Sequence, residues 1–175
     1  MQLTWSHAVL NIKDEASMLD FYTKTLGFSI SDRGPIAEKG PDIIFLSQTH
    51  DEHHQLAFVT TRKAEDPPSA LNHIAFRVQS FEDLQNLKTR LEAVEKDFLP
   101  LSHGNTLSLY FADPEGNGLE VFWDTPWHVS QPSGIVWDSN LDETAALAWV
   151  EATFNQDAEF ALREDAQGKF VNRTS

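Results

Sequence analysis

Ser6-His7-Ala8-Val9-Leu10-Asn11-Ile12 has a counterpart in Asn72-His73-Ile74-Ala75-Phe76-Arg77-Val78, at an offset of 66 residues. The same offset of 66 residues aligns His54 with Glu120. A repeat that aligns histidine with histidine, and then histidine with glutamate, indicates two copies of one structural unit around a shared metal. This repeat predicts the fold, and it also indicates where a functional site is to be sought.

The composition is that of an acidic globular protein. The 175 residues are 41% hydrophobic and 11% aromatic, which is ordinary for a chain with its own core. The sequence has 13 Lys and Arg against 27 Asp and Glu, a net charge of −14. Because this charge repels phosphate backbones and anionic lipid head groups, we expect neither a nucleic-acid nor a membrane partner.

The absence of cysteine limits the possible chemistry. Disulfides, thiolate zinc sites and cysteine nucleophiles are all excluded. The first residues lack a charged start followed by an apolar run, and no stretch approaches the roughly 20 apolar residues of a membrane span. These features predict a cytoplasmic protein.

The first half of the sequence predicts a β-α-β-β-β module. Residues 5–12 alternate in the manner of a strand, Asp14 can cap a helix that begins near Glu15, and Gly27 ends it. Further strands are predicted over 28–31, 42–47 and 54–60. Gly34-Pro35 is predicted as a turn.

The same order returns after a short connector at 64–69. A strand over 73–78 precedes a helix capped by Ser80, whose apolar positions are Leu84, Leu87, Leu91 and Val94. Strands follow over 98–101, 106–112 and 119–123. We therefore predict an α+β fold with one domain over 1–124. In this domain two βαβββ modules, about 5–60 and 72–124, form a half-open β-barrel cup with helices outside.

The C-terminal region matches neither module. Residues 125–175 contain a predicted helix from Leu141 or Asp142 to about Phe154, and four large aromatics indicate that this extension packs on the domain: Trp127, Trp137, Trp149 and Phe154. Covering the cup and forming a dimer contact are two possible roles. The last residues, 165–175, are predicted to fray.

Three polar residues are candidate metal ligands: His7, His73 and Glu120. In both opening strands, alternation separates an apolar face from a mixed face that carries the histidine. Two histidines and one carboxylate leave open positions on a metal, which suits Fe(II) binding substrate and oxygen together. Mn(II), Zn(II), Ni(II) or Co(II) could use the same ligands. Each residue alone is also compatible with a core histidine or a solvent-facing glutamate.

The motifs resemble those of the vicinal oxygen chelate superfamily, which includes glyoxalases, fosfomycin- and bleomycin-resistance proteins and extradiol catechol dioxygenases. The resemblance rests on the repeated module, on the opening of the second module at 72–76, and on its ending at 110–120, Tyr-Phe-Ala-Asp-Pro-Glu-Gly-Asn-Gly-Leu-Glu. It covers residues 5–124 and does not choose among the chemistries of the superfamily.

Further residues resemble those of the one-domain type of ring-cleaving dioxygenase. His53-His54 before Leu56 is similar to a double-histidine strand of those enzymes, and His103-Gly104 with Tyr110 is similar to a pair that contacts the ring hydroxyls. The resemblance implies that His54 is an acid/base, that His103 and Tyr110 bind a catecholate, and that Fe(II) is held by the three ligands. The implied partners are a catecholic substrate and O2, with a homodimer expected.

Two other functions remain open. A glyoxalase-like lyase or isomerase usually has a fourth protein ligand, which Gln55 could supply if the repeat slipped by one residue; strand alternation favours His54 instead. A metal-free binding protein of the resistance type is the second alternative, although such proteins tend to lose their metal ligands.

Overall fold

A computed structural model describes residues 3–67 and 71–166, which form two compact units. The first unit extends to Asn72 and includes Ala112–Asn117; the second comprises His73–Phe111 and the chain from Gly118 onwards. The predicted fraying of the C-terminus concerns mainly residues 167–175, which lie outside the described part.

The first unit contains one helix and a four-stranded sheet in the order β1-β4-β3-β2. Strand β1 pairs in parallel with β4, and the other two pairings are antiparallel. The elements are β1 Ala8–Ile12, helix α1 Glu15–Asp20 with a π-helical continuation Phe21–Thr25, β2 Ser29–Pro35, β3 Asp42–Ser47 and β4 Leu56–Thr60.

Helix α1 begins where the sequence predicts. The side chain of Asp14 accepts hydrogen bonds from the backbone N–H groups of Ala16 and Ser17, which have no partner inside the helix. Met18 and Tyr22 are fully buried on its apolar face. Gly27 follows the π-helical continuation with φ +82°, a left-handed conformation that glycine adopts without strain.

The predicted turn at Gly34-Pro35 is wrong. Both residues belong to β2, where Pro35 is paired with Asp42, and the chain reverses over 36–41. Strand β2 lies at the edge of the sheet, where a residue without an N–H donor is tolerated. Strand β1 also begins later than predicted, at Ala8, and Trp5 before it is 83% exposed.

The second unit repeats the strand arrangement of the first. Its sheet has the order β10-β6-β7-β8-β5, in which β10 is Ile135–Val136 of the C-terminal extension. The run β5-β8-β7-β6 corresponds to β1-β4-β3-β2, with the first pair again parallel. The elements are β5 His73–Arg77, α2 Phe81–Ala93, β6 Phe98–Ser102, β7 Thr106–Ala112 and β8 Gly118–Asp124.

The offset between the modules changes along the chain. Val9 pairs with Ala57, whereas Ala75, which is 66 residues after Val9, pairs with Glu120. Glu120 therefore corresponds to Ala57, at an offset of 63, and the predicted equivalence of His54 and Glu120 does not hold. The loop at 48–55 before β4 has eight residues and the loop at 113–117 before β8 has five, which accounts for the difference of three.

Helix α2 follows the prediction except at its end. Ser80 accepts a hydrogen bond from the N–H of Asp83, and Leu84, Leu87 and Leu91 are buried. Val94 lies beyond the last helical residue and is 52% exposed, because the helix stops before its side chain reaches the apolar face.

The C-terminal extension belongs to the second unit. It contains β9 Trp127–His128, β10 Ile135–Val136, α3 Glu143–Phe154 and β11 Ala161–Leu162. Asp142 caps α3, as the sequence indicates, and accepts a hydrogen bond from Ala145 N. Trp137 is 2% exposed, and its indole N–H donates to the carbonyl of Ser108 in β7.

These elements confirm the predicted α+β fold of two βαβββ modules with a helical C-terminal region. Each main sheet is open, with an edge strand on either side, and neither closes into a barrel within the described residues. No helix in residues 3–67 and 71–166 is both long and apolar enough to cross a membrane.

Candidate active site

His73 and Glu120 lie side by side in the second unit. His73 is the first residue of β5 and Glu120 the third of the parallel neighbour β8. Nε2 of His73 is 3.3 Å from Oε2 of Glu120, and Glu120 is only 7% exposed. A carboxylate buried to this extent requires polar partners, and His73 is one of them.

Ser108 holds the other oxygen of the same carboxylate. Its hydroxyl, on β7, donates a hydrogen bond of 2.7 Å to Oε1 of Glu120, and Ser108 is fully buried. Oε1 is therefore occupied, and Oε2 is the oxygen directed towards His73. Sequence reasoning assigned Ser108 no role, and the available signal was strand alternation, which puts Ser108 on the same face of β7 as Tyr110.

His103 and Tyr110 are brought together on the other side of Glu120. Nε2 of His103 lies 2.9 Å from the hydroxyl of Tyr110 and 3.8 Å from Oε1 of Glu120. The rings of Tyr110 and His73 are 5.5 Å apart. Burial, and then the neighbouring Glu120 carboxylate, raise the pKa of Tyr110, so this phenol keeps its proton at neutral pH.

The first unit contains a separate group of histidines. The rings of His7 and His54 are 4.3 Å apart, and Nδ1 of His54 is 2.9 Å from Nδ1 of His53. His7 immediately precedes β1, and His54 lies in the loop before β4 and not on the strand as predicted. Burial, followed by the charges of His7 and His53, lowers the pKa of His54, which favours its neutral form.

The acidic loop at 113–117 has a structural role in the first unit. Oδ1 of Asp113 accepts hydrogen bonds from the N–H groups of Glu115 and Asn117, and Oδ2 accepts from Tyr22. Oε1 of Glu115 accepts from the N–H of Asp14 before helix α1. The two acids of this motif therefore stabilise the loop and the start of the helix.

The donor set in the second unit fits a divalent metal. An imidazole nitrogen and a buried, oriented carboxylate oxygen are ligands that Fe(II), Mn(II), Co(II), Ni(II) and Zn(II) all accept. His73 and Glu120 supply these two donors, whereas His7 belongs to the first unit. Among residues 3–67 and 71–166, no three side chains of His, Cys, Asp or Glu form a group that could hold a metal.

Comparison with known proteins establishes the family. The model of the Glyoxalase/Bleomycin resistance protein/Dioxygenase superfamily matches residues 4–121. The chain therefore belongs to this superfamily, as its motifs indicate. Because the match covers both modules, the family accounts for the repeated β-α-β-β-β order.

The names of individual relatives give two different activities. The chain is 29% identical over 165 residues to biphenyl-2,3-diol 1,2-dioxygenase 2 of Rhodococcus globerulus, covering 82% of each protein. It is 26% identical over 155 residues to lactoylglutathione lyase of Pseudomonas putida, covering 71% of this chain and 87% of that enzyme. The chain spans 39–60% of the length of four other dioxygenases that it matches.

A solved structure supports the fold. The glyoxylase/bleomycin resistance protein/dioxygenase domain from Frankia sp. EAN1pec matches with a TM-score of 0.60 and 21% identity, covering 73% of this chain and 96% of that one.

Proposed function

We propose that this protein is an Fe(II)-dependent extradiol dioxygenase that uses O2 to open the ring of a catechol-type aromatic. The observation that carries the proposal is the cluster of His73, Glu120, His103 and Tyr110 in the second unit. It combines metal-ligating groups with a phenol and an imidazole suited to bind hydroxyl groups. The biphenyl-2,3-diol dioxygenase among the relatives supports the same chemistry.

In this proposal His73 and Glu120 supply two ligands of the metal, and His7 stays the third ligand that the sequence predicts. Fe(II), when bound, would supply a Lewis acid and an electron path between a catechol and O2. Ser108 keeps the Glu120 carboxylate in one orientation, which preserves its ligating oxygen. Mn(II), Zn(II), Ni(II) and Co(II) remain possible occupants of these ligands.

Tyr110 and His103 orient the substrate in this proposal. Tyr110 remains protonated, and Nε2 of His103 lies within hydrogen-bond distance of its hydroxyl, so the two side chains together can bind a substrate hydroxyl. A ring held by fixed groups loses less entropy on reaching the reactive geometry, which accelerates the reaction.

His54 is the proposed acid/base. A catechol must lose protons before both its oxygens can chelate a metal, and a neutral imidazole can accept one of them. The lowered pKa of His54 favours the form that accepts a proton. Its ring lies beside His7, a proposed metal ligand.

The rival lyase or isomerase is supported by the lactoylglutathione lyase relative. That function would require a fourth ligand, for which the sequence offered Gln55. The side-chain oxygen of Gln55 instead accepts a hydrogen bond from the N–H of Gln48, within its own loop. This contact favours the dioxygenase over the lyase.

Anaerobic reconstitution with Fe(II) tests the proposal. The loaded protein is expected to consume O2 with members of a catechol panel and to give a yellow ring-opened product, measured with an oxygen electrode and by absorbance. Protein reconstituted with Zn(II) is the control and should be inactive. Absence of both oxygen uptake and colour across the panel would reject the dioxygenase. A purified protein that contains no bound metal would favour the metal-free binding protein.

We further propose that the protein acts as a homodimer in the cytoplasm. Sedimentation equilibrium should give twice the chain mass of 19.8 kDa. A single species of 19.8 kDa at all concentrations would contradict the dimer.

A further inference from the structure

The loop that carries His103 is held by the C-terminal extension. Nδ1 of His103 is 2.5 Å from the carbonyl oxygen of Ser133. A carbonyl can only accept a hydrogen bond, so Nδ1 must carry a proton. In the neutral imidazole, Nε2 is then the acceptor, and this nitrogen lies 2.9 Å from the Tyr110 hydroxyl.

Gln131 connects the two sides of this contact. Its side-chain N–H donates to the carbonyl of His103 at 2.8 Å, and its side-chain oxygen accepts from the N–H of Ser133 at 3.1 Å. One amide side chain therefore bonds both the residue that bears the imidazole and the residue that bears its acceptor. This arrangement fixes the spacing between His103 and the Ser133 carbonyl.

The remainder of the loop is also bonded to the extension. Thr125 donates from its hydroxyl to the carbonyl of Gly104 at 2.6 Å, and Arg163 donates to the carbonyl of Asn105 at 2.5 Å. Gly104 has φ +79°, and a Cβ there would approach Cγ2 of Val129 to 2.4 Å. Only glycine permits such a close approach of loop and extension.

The segment at 128–133 is itself anchored. The Ser130 hydroxyl donates to the carboxylate of Asp157, and Nε2 of His128 is 3.1 Å from Oε2 of Glu159. His128 also pairs with Ala161 between β9 and β11, and Val129 is fully buried. These contacts hold the segment at 128–133 in place, so that it can position the loop that carries His103.

We propose that the C-terminal extension, through the Ser133 carbonyl and Gln131, fixes the tautomer of His103 so that Nε2 faces Tyr110 as a hydrogen-bond acceptor. Gln131 is then a positioning residue. The functional consequence rests on the proposed dioxygenase: Tyr110 donates its only proton to Nε2, so its oxygen is left as an acceptor that selects substrates with a hydroxyl donor, such as a phenol. The tautomer itself does not depend on the reaction.

The experiment is a long-range ¹H–¹⁵N spectrum of the metal-free full chain at a pH where its histidines are neutral. The His103 signals are assigned by their loss in His103→Asn. We expect a protonated Nδ1 and an unprotonated Nε2 for His103. The opposite tautomer in the unmodified protein would overturn the proposal, whether or not the protein has dioxygenase activity.

Gln131→Ala tests the positioning role. It should convert the single tautomer into a mixture while leaving the melting temperature close to that of the unmodified protein. Gln131→Glu, which can still accept from Ser133 but cannot donate to His103, should show the same mixture and guards against a folding defect in the first variant. An unchanged tautomer in both variants would overturn the role of Gln131.

The matched control is Gln156→Ala, since Gln156 lies in the same extension and bonds Asn155 away from the loop. It should keep the single tautomer. If catechol cleavage is observed, kcat/KM for the Gln131→Ala enzyme should fall about tenfold, the effect of one lost hydrogen bond. A single tautomer in the unmodified protein and a mixture in Gln131→Ala, without any catechol cleavage, would leave this proposal standing and reject the dioxygenase.

Discussion

Glu120 is the residue around which the polar side chains of the candidate site in the second unit are arranged. His73 lies beside one oxygen and Ser108 holds the other, while His103 approaches from the adjoining loop. A buried carboxylate is costly unless polar side chains surround it, and these three residues are its partners. This geometry makes single substitutions informative.

His73→Ala should abolish metal binding without unfolding the chain, because it removes one proposed ligand from a partly exposed strand end. Metal content measured by elemental analysis and the far-UV spectrum would report the two effects. The companion variant His54→Phe should retain metal and lose turnover. Stoichiometric metal in His73→Ala would contradict the ligand assignment, and lost metal in His54→Phe would make His54 a ligand.

Ser108→Ala should weaken metal affinity by about 10- to 100-fold, because the Glu120 carboxylate loses the hydrogen bond that orients it. A competition titration against a coloured chelator measures the change. Ser47→Ala is the matched control, since Ser47 is also buried and bonds the carbonyl of Thr49 in the first unit instead. Equal affinities in the two variants would show that orientation of Glu120 is unimportant.

At the scale of elements, the loops decide how the modules differ. Both modules have the same strand order, yet the loop before β4 is longer than the turn before β8, and it carries His53 and His54. The shorter turn instead uses Asp113 and Glu115 to bond backbone N–H groups. One loop therefore carries the proposed acid/base His54, while the other stabilises the fold.

The extension should become less stable in acid through Asp157. Hydrogen bonds from Ser130 and from the Glu159 N–H lower the pKa of Asp157 below its usual 3.8. Its contribution to the free energy of unfolding is therefore present above about pH 3.8 and is lost as pH falls through the folded-state pKa. Asp157→Asn should remove this pH-dependent part.

Urea unfolding of Asp157→Asn and the unmodified protein across this pH range measures the effect. The two free energies of unfolding should converge as the pH falls. Asp51→Asn, at an exposed position outside the extension, is the control for loss of one negative charge. A constant difference between Asp157→Asn and the unmodified protein would contradict the linkage.

At the scale of the whole molecule, metal binding should be coupled to stability. A ligand that binds only the folded state raises the free energy of unfolding, by about 2.7 kcal/mol at a concentration 100 times its Kd. Fe(II) added anaerobically should therefore raise the melting temperature, and a chelator should reverse the shift. His73→Ala should show no shift; an equal rise in that variant would indicate binding elsewhere.

Composition and spacing predicted much of this protein from the sequence. The βαβββ order, the caps at Asp14, Ser80 and Asp142, and the family follow from local periodicity and motifs, because these depend on neighbours in the chain. The pairing of His103 with Tyr110 followed from the resemblance. The sequence also indicated an acidic chain without cysteine chemistry.

Tertiary structure decided the remaining features. The change of offset from 66 to 63 depends on strand register, which an ungapped sequence repeat does not reveal. Pro35 lies within a strand because that strand is at an edge, and Ser108 reaches Glu120 because two strands are neighbours. The Ser133 carbonyl has no side-chain signal at all; only packing of the extension brings it to His103, 30 residues earlier in the chain.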